Sequence, residues 1–212
     1  MKVNNIKAII FDLDGTLVDT DRLVIRSYRE VFKKFRPDYQ LSQEEELSFL
    51  GPTLKVMFSK YFTEDFEVLL KEYQTFAFAN TKKYASLYPH VREMLSYLNQ
   101  KGYLVCLVTS RFTKSLDEMF NCFDLREYFA TIITLDDVKE AKPSPEGLNI
   151  ILKKYQLKQN EVIYIGDNKT DFLAGINAGV YTGLVSWAYG RNNVVLNPDL
   201  LINDYQEIID LF

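Results

Sequence analysis

Residues 12–17 read Asp-Leu-Asp-Gly-Thr-Leu and follow directly on the apolar run 6–11. Two carboxylates one residue apart at the end of a buried segment are costly unless a cation or a proton relieves them. Cation binding and proton exchange are therefore the chemistry this pair could do. Alternate side chains of a strand share a face, so Asp12 and Asp14 are expected to address one reacting group. Polar clusters also close later apolar runs: Thr109-Ser110-Arg111, then Lys142-Pro143-Ser144-Pro145, then Gly166-Asp167-Asn168-Lys169-Thr170-Asp171. Ligands of open α/β sheets bind outside the carboxyl ends of the strands. These clusters are therefore expected to converge on Asp12 and Asp14.

The elements that must carry them are legible as two periodicities. Apolar, β-rich runs at 6–11, 103–109, 131–135, 162–165 and 180–185 are near-continuous rather than alternating, which suits strands covered on both faces. Helical patterns at 87–100, 113–123, 145–155 and 172–178 separate them, the first and last ending at Lys101-Gly102 and Gly179. Strand and helix in alternation with short connections imply an α/β fold with a doubly wound, Rossmann-like parallel sheet. Residues 19–84 break the rhythm with helical periodicity alone. Val24, Tyr28, Val31 and Phe35 form one face, short helices are expected at 47–50 and 53–62, and Phe66, Leu69, Leu70, Tyr73 and Phe76 stripe a long one over 64–84. The expected division is a core of 1–17 and 86–212 with an inserted helical domain of 18–85. The segment 194–212 is expected to break at Pro198 and end in a short helix.

Composition narrows the classes. Of the 212 residues, 47% are hydrophobic, enough for a substantial core. A net charge of −4 argues against nucleic acid or an anionic membrane as partner, so an anionic ligand must be met by local cations. Cys106 and Cys122 fit neither a disulfide framework nor a zinc motif, and Cys106 reads as core. No signal peptide or membrane-length apolar run is present, so a cytoplasmic location is expected. His90 is the single histidine and matches no nucleophile motif, which argues against Ser-His or Cys-His hydrolysis.

Taken together, DLDGT, the Thr-Ser pair after a strand, the Lys-Pro segment and GDxxxD, in that order, resemble the four motifs of the haloacid dehalogenase superfamily. The likeness covers nearly the whole chain and extends to FLAGINAGV after the last motif. The resemblance implies a role for each residue. Asp12 would attack phosphorus and carry an aspartyl-phosphate. Asp14 would protonate the leaving oxygen and then deprotonate water. Gly15 permits the tight turn between substrate and exit. Asp167, with Asp12 and the backbone carbonyl of Asp14, would bind Mg²⁺, and Asp171 would support that shell from the same helical face. Lys142 would balance Asp12 and the phosphoryl oxygens, held in an extended backbone by Pro143. Thr109 or Ser110 would donate to the phosphoryl group, helped by backbone N–H groups.

Each residue also has a plainer role. Ser110 and Ser144 suit helix N-caps, the better reading for Ser144, and Pro145 suits a first helical turn. Lys142 alone is an ordinary surface lysine, and Asp171 alone a solvated helix residue. Trp187 and the aromatic residues of the insert read as core. The family commonly has glycine where this chain has His90, so a slight change to the hinge between insert and core is implied there, with a structural role as the default.

The helical insert resembles the family's α-helical cap. Leu50-Gly51-Pro52-Thr53-Leu54 and Val185-Ser186-Trp187-Ala188-Tyr189-Gly190 resemble segments of phosphoglycolate phosphatases and related pyrophosphatases. The resemblance thus implies a phosphomonoester hydrolase of a small phosphorylated metabolite. Lys55, after the cap turn, or Arg111, after the second motif, could meet a substrate carboxylate, and a solvated surface charge is an equal reading for each. A β-phosphoglucomutase-like isomerase and a pyrophosphatase are the alternatives, while a dehalogenase is disfavoured because that branch lacks an acid–base aspartate at position 14. A catalytically silent binding protein is disfavoured by the full motif set. Either a monomer or a homodimer is compatible with the sequence.

Overall fold

In the computed structural model, residues 5–187 and 196–212 are described. Element order is β1 (Ala8–Phe11), β2 (Val18–Asp19), α1 (Asp21–Phe35), α2 (Gln43–Ser48), α3 (Leu54–Tyr61), α4 (Phe66–Tyr84), β3 (Ser86–Leu87), α5 (Val91–Gln100), β4 (Leu104–Val108), α6 (Thr113–Phe123), β5 (Thr131–Ile133), α7 (Glu146–Lys154), β6 (Val162–Gly166), α8 (Lys169–Ala178), β7 (Tyr181–Val185), β8 (Leu200–Ile202) and α9 (Gln206–Leu211). The chain divides into two compact units, Met1–Val18 with Leu87–Phe212, and Asp19–Ser86.

The first unit is built on a parallel six-stranded sheet ordered β5-β4-β1-β6-β7-β8. Strand order reverses at β1, which pairs with β4 on one side (Ala8 with Leu104) and β6 on the other (Ala8 with Val162). Every residue of β1 and β6 is buried, as continuous apolar runs require of strands covered on both faces. Cys106 belongs to the same core, with Ile10, Val108, Leu148 and Ile151. The doubly wound fold is thus realised, and the carboxyl ends of β1, β4 and β6 meet at the reversal, where ligands bind in such sheets.

Several boundaries differ from expectation for local reasons. The helix expected at 87–100 begins only at Val91, because Ser86–Leu87 forms β3 and His90 takes a left-handed backbone, φ 60°. The helix expected at 172–178 begins at Lys169, since the Asn168 side chain accepts from the N–H groups of Thr170 and Asp171. The run 131–135 is a strand only to Ile133, where Thr134 caps a 3-10 turn. Ser144 does accept from the Glu146 N–H (3.3 Å), but Pro145 is the cap residue of α7 rather than its first turn. Strand β8 lies in the segment expected to hold only a break and a terminal helix.

The second unit contains α1–α4. The short helix expected at 47–50 instead spans Gln43–Ser48, started by a reciprocal pair in which Ser42 and Glu45 cap each other's backbone N–H groups. On α1 the buried face is Leu23, Ser27, Tyr28, Val31 and Phe32, while Val24 and Phe35 are half-buried at its edge. Leu69 and Leu70 of α4 are buried, with Phe66, Tyr73 and Phe76 half-buried. Aromatic rings dominate the packing: Tyr28 stacks on Phe49 (4.3 Å between centroids) and meets Tyr73 edge-on (5.1 Å). Among the described residues, no helix is long and apolar enough to cross a membrane.

The Tyr28 hydroxyl is buried without a hydrogen-bond partner. A buried unsatisfied hydroxyl costs about 1–3 kcal/mol, whereas the ring alone keeps its stacking. Tyr28→Phe should therefore stabilise the protein by about 1 kcal/mol, measured as a higher urea midpoint at an unchanged slope.

Candidate active site

Strand β1 ends at Phe11, and the Asp12 N–H prolongs its ladder by one bond to the Ile165 carbonyl (2.8 Å). The chain then turns tightly. The Leu13 carbonyl accepts from Thr16, Leu17 and Val18, and the Gly15 N–H donates to Val18 (2.8 Å), with Gly15 at φ +75°. Asp12 and Asp14 thus sit on a turn beyond the strand. The turn rather than strand alternation places them: Asp12 meets Lys142, and Asp14 meets Arg111.

Lys142 precedes Pro143 across a cis peptide bond, and its side chain is only 7% exposed. Its ammonium donates to Asp12 Oδ1 (2.6 Å), Asp171 Oδ1 (2.6 Å) and the Tyr164 hydroxyl (3.1 Å). Tyr164 donates in turn to Asp171 Oδ1 (2.9 Å). Oδ2 of Asp171 accepts from the N–H groups of Asp167 and Asn168 (both 3.3 Å). Asp171 therefore holds Lys142 with one oxygen and the loop 167–168 with the other. Such a close approach needs Gly166, where an added Cβ would lie 2.3 Å from the Asp171 Cβ. Asp167 is on that loop, not on α8, so the two acids are joined by a helix cap rather than by helical spacing.

Asp167 is 8% exposed, and its Oδ1 accepts from the Asn168 side chain (2.9 Å). Its Oδ2 packs on the Asp12–Gly15 turn so closely that a Cβ on Gly15 would lie 2.3 Å away. Carboxylate oxygens of Asp12, Asp167 and Asp171 lie within 4.8 Å of one another. An all-oxygen set of this span fits a hard divalent cation. Because both Asp171 oxygens already accept hydrogen bonds, Asp12 and Asp167 are the carboxylates suited to hold it, with Asp171 behind them.

Arg111 forks onto Asp14, Nε to Oδ2 and Nη2 to Oδ1, each at 2.7 Å, and its Nη1 donates to Ser115 Oγ (2.7 Å). The Thr109 hydroxyl accepts from the Arg111 N–H (3.2 Å), which shapes the loop after β4. Ser110 does not cap α6, whose cap residue is Phe112. It stays half-buried beside Thr109 at the sheet's carboxyl edge. Lys55 is exposed in the second unit. Ala188, Tyr189 and Gly190 of the 185–190 likeness lie outside the described residues, as do residues 1–4 and 194–195. Sequence reasoning missed Tyr164, whose hydroxyl in an otherwise apolar run was the available signal, and Asn168, an N-cap type three residues before an acid.

Electrostatics follow from this packing. Burial raises the Asp12 carboxyl to about 7, against the pull of Lys142 and with further push from Asp171 and Asp14. Burial also works against the Lys142 charge, but Asp12, Asp171 and Tyr164 together outweigh it and hold the ammonium protonated. In metal-free protein the folded state thus keeps a proton on Asp12 that the unfolded chain releases near 3.8. This contribution to stability is present below about pH 4 and is lost as pH rises to about 7. Thermal melts in EDTA should show the parent losing more stability than Asp12→Asn between pH 4 and 7.

The sequence profile of haloacid dehalogenase-like hydrolases matches residues 9–185. A pyrophosphatase, PpaX of Bacillus cereus (strain Q1), is 33% identical over 213 residues, spanning 100% of this chain and 97% of the relative. Among solved structures, a haloacid dehalogenase-like family hydrolase from Streptococcus pneumoniae superposes with a TM-score of 0.83 at 25% identity, covering 98% of both chains. A Haemophilus somnus protein described as a predicted phosphoglycolate phosphatase reaches 0.87 at 23% identity, again over 98% of each. With a profile match over most of its length and a full-length relative at this identity, the chain belongs to the haloacid dehalogenase-like hydrolase family.

Proposed function

We propose that this hydrolase is a Mg²⁺-dependent phosphatase working through an aspartyl-phosphate on Asp12. The observation that carries the reading is the Lys142 ammonium bridging Asp12 and Asp171, with Asp167 against the same turn. Four carboxylates (Asp12, Asp14, Asp167, Asp171) face two cations (Lys142, Arg111). A bound Mg²⁺ would supply the missing positive charge and draw the phosphoryl oxygens toward Asp12. Asp12 and Asp167 would hold it, with the Asp14 carbonyl as a third donor.

Asp12 attacks phosphorus while the bond to the leaving oxygen breaks, and Asp14, protonated once Arg111 has turned from it to the substrate, gives that oxygen its proton. Water then attacks the aspartyl-phosphate, Asp14 takes its proton, and inorganic phosphate departs from Asp12. Lys142 keeps Asp12 oriented and offsets charge on the phosphoryl group. Thr109 and Ser110 stand at the end of β4, where they can donate to the phosphoryl oxygens. Arg111 bears on the other end of the substrate, since its partner Asp14 handles the leaving group. A leaving group with its own negative charge, such as phosphate or glycolate, gains from that guanidinium. Pyrophosphate is accordingly the first substrate to test, in keeping with the name of the 33% identical relative. By its resemblance to the family's α-helical cap, the helical unit Asp19–Ser86 would serve as a cap.

Orthophosphate release from pyrophosphate, phosphoglycolate and neutral sugar phosphates, with Mg²⁺ and with EDTA, tests the reading. Asp12→Asn should lower kcat at least about 10³-fold, and Asp14→Asn about 10²–10⁴-fold. Hydrolysis that survives Asp12→Asn would remove the assigned nucleophile. Formation of an isomeric sugar phosphate without phosphate release would make the enzyme a mutase.

A further inference from the structure

Two aromatic side chains from the C-terminal part of the chain hold the carbonyls that follow Asp14. The Trp187 indole Nε1–H donates to the Gly15 carbonyl (2.9 Å), and the Tyr205 hydroxyl donates to the Thr16 carbonyl (2.9 Å). The rings lock one another: Tyr205 meets Trp187 edge-on at 5.3 Å, and Tyr88 lies against Trp187 at 4.9 Å. Phe11, the last residue of β1, meets Tyr205 edge-on at 6.3 Å. The backing is itself fastened, since His90 Nδ1 lies 2.7 Å from Asp204 Oδ1, one residue before Tyr205.

The placement of these donors exceeds what packing needs. Apolar rings would fill the same space, yet both polar atoms are directed at successive carbonyls of one turn. Gly15 is the softest point of that turn, with no side chain and φ +75°. Rotation of its peptide would carry Asp14 on one side and the Asp167 contact on the other, because the Asp167 carboxylate rests against Gly15. A donor on the Gly15 carbonyl and another on the Thr16 carbonyl restrain that rotation.

We propose that Trp187 and Tyr205 are positioning residues that fix the catalytic turn, so that the indole senses what occupies it. The proposal rests on the reading of Asp12 and Asp14 as the phosphoryl-transfer pair. Such residues act on the transition state through geometry, so their loss falls on kcat rather than KM. Tyr205→Phe keeps the ring and deletes only the donor, while Trp187→Phe deletes the donor together with the five-membered ring of the indole. Each should lower kcat for pyrophosphate about fivefold, the worth of one neutral hydrogen bond, with KM changed less than about twofold. The double variant should fall short of the product of the two, since both donors act on one turn. Tyr103→Phe, which loses a bond to the Phe212 carbonyl elsewhere in the unit, should leave kcat unchanged.

Trp187 is the sole tryptophan of the chain, which gives a readout independent of turnover. Its emission in the parent enzyme should shift when Mg²⁺ and beryllium fluoride, a phosphoryl analogue, are added together. The shift should shrink in Tyr205→Phe. An active parent with unmoved emission, or single variants with parental kcat, would overturn the clamp and leave the phosphatase reading intact. Variants that lose thermal stability in proportion to activity would likewise make the two residues merely structural. A parent enzyme that releases no phosphate from any ester or anhydride would overturn both readings.

Discussion

One ammonium group organises the carboxyl edge of the sheet. Lys142 is almost wholly buried and reaches Asp12, Asp171 and Tyr164 together. It thereby ties the segment after β5 to the turn after β1 and to the first turn of α8. Removing one partner from such a cluster would strand the others as buried charges, so the three loops are held as a unit. Burial, aided by Asp171 and Asp14 and opposed by Lys142, raises the carboxyl of Asp12 to about 7 rather than an ordinary acidic value. Asp12, Asp167 and Asp171 thus concentrate three buried carboxyl groups at one place.

Much of this was readable from residue order. Asp12, Lys142, Asp167 and Asp171 each follow an apolar run, and parallel strands of a doubly wound sheet bring such ends together. That Arg111 forks onto Asp14 was not readable, because strand ends bring the two segments together without fixing which side chains pair. The edge strand β8 also escaped notice. It is three residues long, follows Pro198 and Asp199 closely, and leaves Leu201 43% exposed. In the helical unit the Ser42-x-x-Glu45 signature marked the start of α2, yet the apolar residues 47–50 drew the expected helix past its true end.

Backbone conformation explains a further departure. His90 begins α5 at φ 60°, a region glycine enters freely and most side chains avoid. That is the physical sense of a glycine preference at this point in the family. Here the imidazole offsets part of the cost through its contact with Asp204.

The central strand has an unusual relation to synthesis. β1 ends at Phe11, but the register partners of Ala8 are Leu104 and Val162, far along the chain. A nascent chain therefore exposes a fully apolar ribbon until at least β4 has left the ribosome. During that interval the helices of residues 19–86 can already form, since their contacts are local and need little loop closure. β1 thus gains its first neighbour in the six-stranded sheet only when β4 is available, after the helical segment has been made.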